Sequence, residues 1–451
     1  MIFSQPIIHN FWINFIKDFF YKKKLIKDNL NSFHLLNLNI IDENIEKIKN
    51  FFLKNNLSYQ IYYSFKTNKS EEIIKYLSKK EIGIETSSEK ELEKALKFNQ
   101  KIICQGPKND LYLTLIKENN QIINVVNDNE ELNKSIKMKI KNIMIRIGNL
   151  KDNIFFKNYT HFGLDEDEIE NALKKIKDNE KKINFLGFSF HLDTTSDDLK
   201  IFYLSKALYL LTKARIIGLK PQFLNIGGGW RVNYMKKEEW EKIINFIYEK
   251  IDQNDKSYFW NNHNFGIIKI NNRLFGEGNF YPFYSETAEE KHLEKIINSE
   301  NIFLNENNLK IIKDLSIKII IESGRFLLNQ AGISIFRIFN VLKDKIFIDG
   351  KATDIAHNLD ILYDPILAKN NKEKFNNQNY NGYFIFGKSC LEDDIFFKRK
   401  IFFEKQPNKD DFLIFINTAS YKQDIFANEF ITHSQLKKYF INSFHQLKND
   451  I

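Results

Sequence analysis

Residues 58–77 read SYQIYYSFKTNKSEEIIKYL. A run rich in aromatic and β-branched side chains comes first, then a polar turn, then apolar residues at three-to-four spacing. This strand-turn-helix unit recurs along the chain. After Ser58–Lys66, further β-like runs follow at Gly83–Ser88, Lys101–Gly106, Gln121–Asp128, Asn142–Asn149, Asn184–Leu192, Phe223–Gly229 and Ile317–Arg325. Segments between them, such as Glu89–Phe98 and Asp197–Ile217, carry helical periodicity. Eight strands alternating with helices predict the α/β class, a (β/α)8 TIM-type barrel over residues 35–325.

The spacing breaks once, between Gly229 and Glu322, where an aromatic and Asn-rich stretch at about 254–299 reads as an insertion, either a lid or a surface elaboration. After Arg325 the pattern changes. Ile333–Leu342, Ile346–Asp349, Tyr383–Phe386, Lys398–Glu404 and Asp411–Asn417 are strand-like without regular helices between them. They predict a C-terminal β-domain over 326–451, with the N-terminal segment 1–34 packing alongside it.

The length of 451 residues suits two domains, and 43% hydrophobic residues with 42 Phe supply a large core. The net charge of +9 and a pI near 9.0 raise the question of nucleic acid. The excess of Lys, Asn, Ile and Phe is uniform, however, with no basic block interleaved with aromatics, which argues for a solvated basic surface and no nucleic-acid partner. Two cysteines, Cys104 and Cys390, rule out a disulfide framework and point to a reducing compartment. No signal-peptide order or run of 18 apolar residues stands out, so a cytoplasmic protein without membrane contact is expected.

Four strand ends carry candidate chemistry. Lys66 closes the first run, and a lysine at the C-terminal end of a barrel strand points into the mouth. Such a lysine is also commonly a plain surface charge, yet lysine is the side chain that forms an imine with pyridoxal phosphate (PLP). Gly227, Gly228 and Gly229 end an apolar run, where glycines let backbone N–H groups approach a phosphate or simply make a tight turn. His191, in FSFHLDT, suits a core histidine or a ring stacked on a planar cofactor. Glu322–Arg325 (ESGR) offers a carboxylate for a pyridine nitrogen and a guanidinium for phosphate. No metal-ligand pattern accompanies them.

Taken in order, SFKTNKS, EIGIETSSEKELEKAL, GPKND, IRIG, THFGLDEDEI, HLDT, NIGGG, ESGR, GKSCLEDD and TASY resemble the ornithine/diaminopimelate/arginine decarboxylases of the alanine-racemase-like PLP fold. The resemblance spans roughly Phe33 to Phe430. It implies Lys66 as the Schiff-base lysine and His191 as the residue stacking on the ring. It implies Thr194, Gly227, Gly228, Gly229, Gly324, Arg325 and Tyr421 around the phosphate, Arg146 near the cofactor and Glu322 at the pyridine nitrogen. It further implies a homodimer with shared sites, in which Cys390 comes from the partner subunit and protonates the substrate carbon once CO2 has left. A carboxylate beside the pyridine nitrogen keeps that nitrogen protonated. Racemases of this fold place an arginine there, so Glu322 favours an amino-acid decarboxylase over a racemase. A catalytically inactive, partner-binding relative is the other alternative.

The resemblance thins at the substrate's distal end. Leu391 follows Cys390 where the ornithine and diaminopimelate types carry an acid, and the acids here begin at Glu392. The stretch FIDGKATDIAHNLDILYD offers His357 and no arginine, while Asp364 matches an acid that meets a distal amine in the ornithine type. A basic amino acid or a specialised-metabolite precursor is therefore the expected substrate, with Asp364, Glu392 and His357 as its candidate contacts. Cys104, on a β-like run, reads as packing.

Overall fold

A computed structural model of the chain describes residues 2–20, 31–98, 101–150, 160–192, 196–276, 278, 280–355, 361–370, 382–429, 433–443 and 446–449. Two compact units divide the chain, one of residues 43–231 and 287–327, the other of residues 1–42, 232–286 and 328–451. Among the described residues no helix is long and apolar enough to cross a membrane.

The first unit holds a closed barrel of eight parallel strands: Tyr59–Ser64, Gly83–Thr86, Ile102–Cys104, Ile123–Val126, Asn142–Arg146, Asn184–Ser189, Phe223–Asn225 and Lys318–Ser323. The last pairs with the first, Glu322 opposite Tyr62. Helices after the strands start where a short polar side chain can accept an otherwise orphaned N–H. Ser88, Asn109, Asp128 and Ser196 each cap one in this way, and Asp165 forms a full capping box with Glu168.

Strand alternation then divides the barrel interior into layers. Tyr62, Ile103, Ile123, Val125, Met144, Leu186 and Ile320 form one buried cluster, with Phe223 against it. The Gly83 strand contributes no side chain to this layer, and a Cβ there would stand 2.5 Å from the Tyr62 ring, which occupies the space. Two residues further along, six of the eight strands carry a polar residue: Ser64, Glu85, Gln105, Arg146, Asn225 and Glu322.

The Asn184–Ser189 strand reaches this layer by a bulge. Ile143 pairs with Phe185 but Met144 pairs with Gly187, so the strand carries one extra residue there. Gly187 has φ +143°, and a Cβ on it would lie 1.9 Å from the Phe223 carbonyl oxygen. Glycine is the residue this crossing admits. Leu186 faces the apolar layer, and after the bulge Ser189 and His191 face inward too.

The second unit is built on a curled mixed sheet. Its strand Phe33–Asn37 pairs antiparallel with Gly332–Leu342 and parallel with Lys438–Ser443. Gly332–Leu342 also pairs with Lys345–Ile348 and Phe412–Phe415. The N-terminal segment thus supplies a strand and, through Trp12 Nε1 donating to the Gln330 carbonyl at 2.7 Å, an anchored helix. Residues 232–286 of this unit contain the helix Lys237–Asp252 and an exposed hairpin, Ile268–Ile270 with Arg273–Phe275.

Candidate active site

The polar layer sits at the C-terminal ends of the strands, where barrels of this kind place their chemistry. Its centre is Glu322, which is buried. Gln105 Nε2 and Asn225 Nδ2 both donate to Glu322 Oε1, each at 2.6 Å. His191 Nδ1 lies 3.5 Å from Oε2. Burial works to raise this carboxyl, while the amide donors Asn225 and Gln105 lower it and favour the carboxylate. Glu322 is therefore ionised at neutral pH.

His191 is governed from the other side as well. The Gly228 N–H donates to Nδ1 at 3.1 Å, which leaves that nitrogen without a proton. A carboxylate at 3.5 Å asks for the opposite state. Burial pushes the imidazole below its ordinary value, and the shorter contact belongs to Gly228, so the neutral ring with Nδ1 as acceptor prevails.

Lys66 lies just past its strand. Ser64 ends the strand, and Phe65–Thr67 forms a single 3-10 turn, so the strand ends two residues before the β-like run of the sequence does. The ammonium is 3.9 Å from Glu85 Oε2, with the lysine side chain 40% exposed and the carboxylate fully buried. Glu85 also accepts from Ser64 Oγ and, at 2.7 Å, from Ser87 Oγ. Arg146 is buried with its guanidinium 4.7 Å from the Phe162 ring centroid. Its Nε has no hydrogen-bond partner among the described residues, nor do Gln105 Oε1, Thr67 Oγ1 and Ser323 Oγ.

The glycine loop follows the Phe223–Asn225 strand. Gly227 and Gly229 have φ of +66° and +72°. A Cβ on Gly228 would stand 2.6 Å from the Glu322 carbonyl oxygen and 3.0 Å from His191 Cε1. Gly227 N–H donates to Asn225 Oδ1 at 2.9 Å, and the Gly227 carbonyl accepts from Trp230 Nε1 at 3.0 Å. The backbone N–H groups of Gly229 and Trp230 have no partner among the described residues. Two adjacent donors in a loop of alternating handedness form an anion cradle. With the unmet polar atoms around Glu322, this donor set fits a group that carries a phosphate and a basic ring nitrogen.

The ESGR segment closes the barrel unit's part. Gly324 lies against Thr67, where a Cβ would be 2.1 Å from Oγ1, and Arg325 is half-buried. Thr194 and His357 lie outside the described residues.

The remaining predicted residues belong to the second unit. Cys390 is exposed and lines a cavity of about 290 Å³ with Trp260, Lys345, Phe386, Leu391 and Glu392. Tyr421 adopts φ +63°. Asp364 Oδ1 takes Arg399 at 2.6 Å, and Oδ2 takes the Ser4 N–H at 2.8 Å, so both oxygens are engaged. Cys104, in the barrel unit, is buried, and burial pushes its thiol up to about 11.

Glu85, Gln105 and Asn225 were not singled out from the sequence. Their signal is positional: each stands two residues beyond an inward-facing residue, namely Gly83, Ile103 and Phe223.

Comparisons with known proteins place these features among relatives. Residues 39–270 match the model of the pyridoxal-binding domain of pyridoxal-dependent decarboxylases. The chain is 25% identical over 410 residues to the uncharacterized protein y4yA of Sinorhizobium fredii, covering 87% of this chain and 83% of that protein. It is 30% identical over 208 residues to 2-[(L-alanin-3-ylcarbamoyl)methyl]-2-hydroxybutanedioate decarboxylase of Staphylococcus aureus, covering 41% and 51% of the two chains. In fold it is similar to the arginine decarboxylase of Paramecium bursaria Chlorella virus, with a TM-score of 0.68, 17% identity and coverage of 94% and 100%.

Proposed function

This chain belongs to the pyridoxal-dependent decarboxylases, and we propose that it is an active PLP-dependent decarboxylase of an amino acid. The observation that carries this reading is Glu322, a buried carboxylate kept ionised by Gln105 and Asn225 beside a cradle of backbone donors that have no partner among the described residues. Bound there, PLP supplies a conjugated ring that accepts the electron pair left behind when CO2 departs.

The protein's share is to hold and direct. Lys66 Nζ would hold the cofactor. Glu322 keeps a proton on the ring nitrogen, since an adjacent negative charge favours the protonated form. His191, neutral and fixed by Gly228, presents its ring face. Gly227, Gly228, Gly229, Thr194, Gly324, Arg325 and Tyr421 would hold the phosphate, with Arg146 as a further residue for the cofactor. Cys390 Sγ, contributed by a second copy of the chain, delivers the proton that replaces CO2. The substrate is a basic amino acid or a specialised-metabolite precursor. Because Asp364 is committed to Arg399 and Ser4, Glu392 on the exposed Cys390 loop is the better contact for a distal amine.

The test is the visible absorbance of the purified protein before and after borohydride, with Lys66→Ala alongside. A cofactor band lost on reduction and missing in the variant supports the reading, and a screen for CO2 release, basic amino acids first, follows. A wild-type protein that stays colourless with added PLP would overturn it.

A further inference from the structure

The helix Asp197–Ile216 starts behind the glycine loop, and its first turn places two charged side chains, three residues apart, on one face. Asp197 reaches the far end of the loop, with Oδ1 2.6 Å from an Arg231 guanidinium nitrogen. Lys200 reaches its middle. Only 1% exposed, Lys200 donates to the Gly228 carbonyl at 2.9 Å and stands 4.9 Å from the Trp230 ring centroid. A Cβ added to Gly229 would lie 3.4 Å from the ammonium, so the loop runs close past the lysine's end.

An ammonium is costly to bury, and a helix position packed on a loop is ordinarily filled by an apolar side chain. The geometry gives the charge a task. In a trans peptide the N–H points opposite to the C=O. With the Gly228 oxygen fixed on Lys200, the Gly229 N–H points away from the helix. That N–H and its Trp230 neighbour are the two without a partner among the described residues. A cation on the carbonyl also polarises the peptide and strengthens its N–H as a donor.

From this we infer that Lys200 is a positioning residue for the cofactor's phosphate. It orients and polarises the Gly228–Gly229 peptide from behind, and its own charge sits one peptide away from the anion. The inference rests on the PLP reading above but concerns the phosphate alone, so it can be tested without turnover.

The experiment titrates the apoprotein with PLP and, separately, with pyridoxal, which lacks the phosphate, in wild type, Lys200→Met and Lys200→Gln. In wild type, PLP binds and inorganic phosphate competes with it. The expected result is that Lys200→Met raises the Kd for PLP by ~10-fold to ~100-fold, the range of a charge-assisted hydrogen bond, and leaves that for pyridoxal within about 2-fold. Lys200→Gln, which keeps a donor for the Gly228 oxygen without the charge, falls between and guards against a Met variant that does not fold. Equal weakening of both ligands in the folded variants would make Lys200 a packing residue and overturn the inference, as would no change in either. A wild type that binds neither ligand would overturn the PLP reading itself.

Discussion

Asn225 donates its side-chain amide to Glu322 Oε1 at 2.6 Å while its own oxygen accepts the Gly227 N–H at 2.9 Å. One amide therefore joins the buried carboxylate to the first peptide of the glycine loop, and its orientation is fixed because a flip would set two oxygens face to face. Asn225→Asp keeps the shape and replaces the donor by a second carboxylate. Two buried carboxylates sharing a site cannot both ionise cheaply. We expect stability at pH 7 to fall by roughly 2–4 kcal/mol and PLP affinity by about 10-fold or more. Urea unfolding and a PLP titration check this, and a variant unchanged in both would mean the couple is idle.

Gly187 is where the barrel tolerates least. The atom a Cβ would strike, 1.9 Å away, is a backbone oxygen of the neighbouring strand, which cannot move aside, and φ is +143°. Gly187→Ala is expected to cost ~3 kcal/mol or more, or to prevent folding. Gly218→Ala is the control. Its φ is also positive, but the nearest atom, 3.1 Å away, is the mobile ammonium of Lys177, so a loss of about 1 kcal/mol is expected there. Comparable losses at both sites would remove the bulge as the reason.

The barrel was legible because the apolar runs and their turns repeat along the chain. Within the candidate site, the sequence marks distinctive residues at or just past strand ends, as at Lys66, Gly227 and Glu322. What could not be read is what depends on exceptions to the period or on distant partners. NFLGFSFH runs on as an ordinary strand, and strict alternation from Leu186 would turn His191 outward; the bulge at Gly187 brings it in. Gln105 has no local mark that distinguishes a donor to Glu322 from any polar residue at a strand end. The commitment of Asp364 to Arg399 joins residues 35 positions apart, and nothing in ILYD announces it.

Cys390 offers a prediction about rate rather than stability. It is exposed, so Cys390→Ala should leave thermal unfolding within about 0.5 kcal/mol of wild type. If its Sγ delivers the proton, the variant should release product ~100-fold more slowly, the range of one general acid, with less amine formed per CO2. Full rate and clean amine product in the variant would remove it from the reaction.

His292 sets the last expectation, on pH. It is fully buried between the Arg231 N–H, which donates to Nδ1 at 3.3 Å, and Asp197 Oδ1, 3.2 Å from Nε2. Burial, then the charges of Lys200 and Arg231, lower its pKa to about 3 against the pull of Asp197, whose Oδ2 is held by Lys295 at 2.7 Å. In the unfolded chain the same imidazole takes its proton near 6.5. Above that value neither state is protonated and His292 contributes nothing to pH dependence. Between about 6.5 and about 3 the unfolded chain binds the extra proton, so stability falls as pH falls, by ~1.4 kcal/mol per unit. From pH 7 to pH 5 this amounts to ~2 kcal/mol. His34, in the second unit, is lowered to about 3 and adds a similar loss, while Asp354, raised to about 6 by burial, takes up a proton in the folded state and offsets part of it. A whole-protein profile therefore mixes signs, and the comparison with His292→Gln isolates one. Glutamine can accept from Arg231 and donate to Asp197 but does not titrate. The stability gap between wild type and variant, from urea unfolding, should narrow or reverse by about 2 kcal/mol between pH 7 and pH 5. A gap independent of pH would mean that the folded protein already carries the proton on His292.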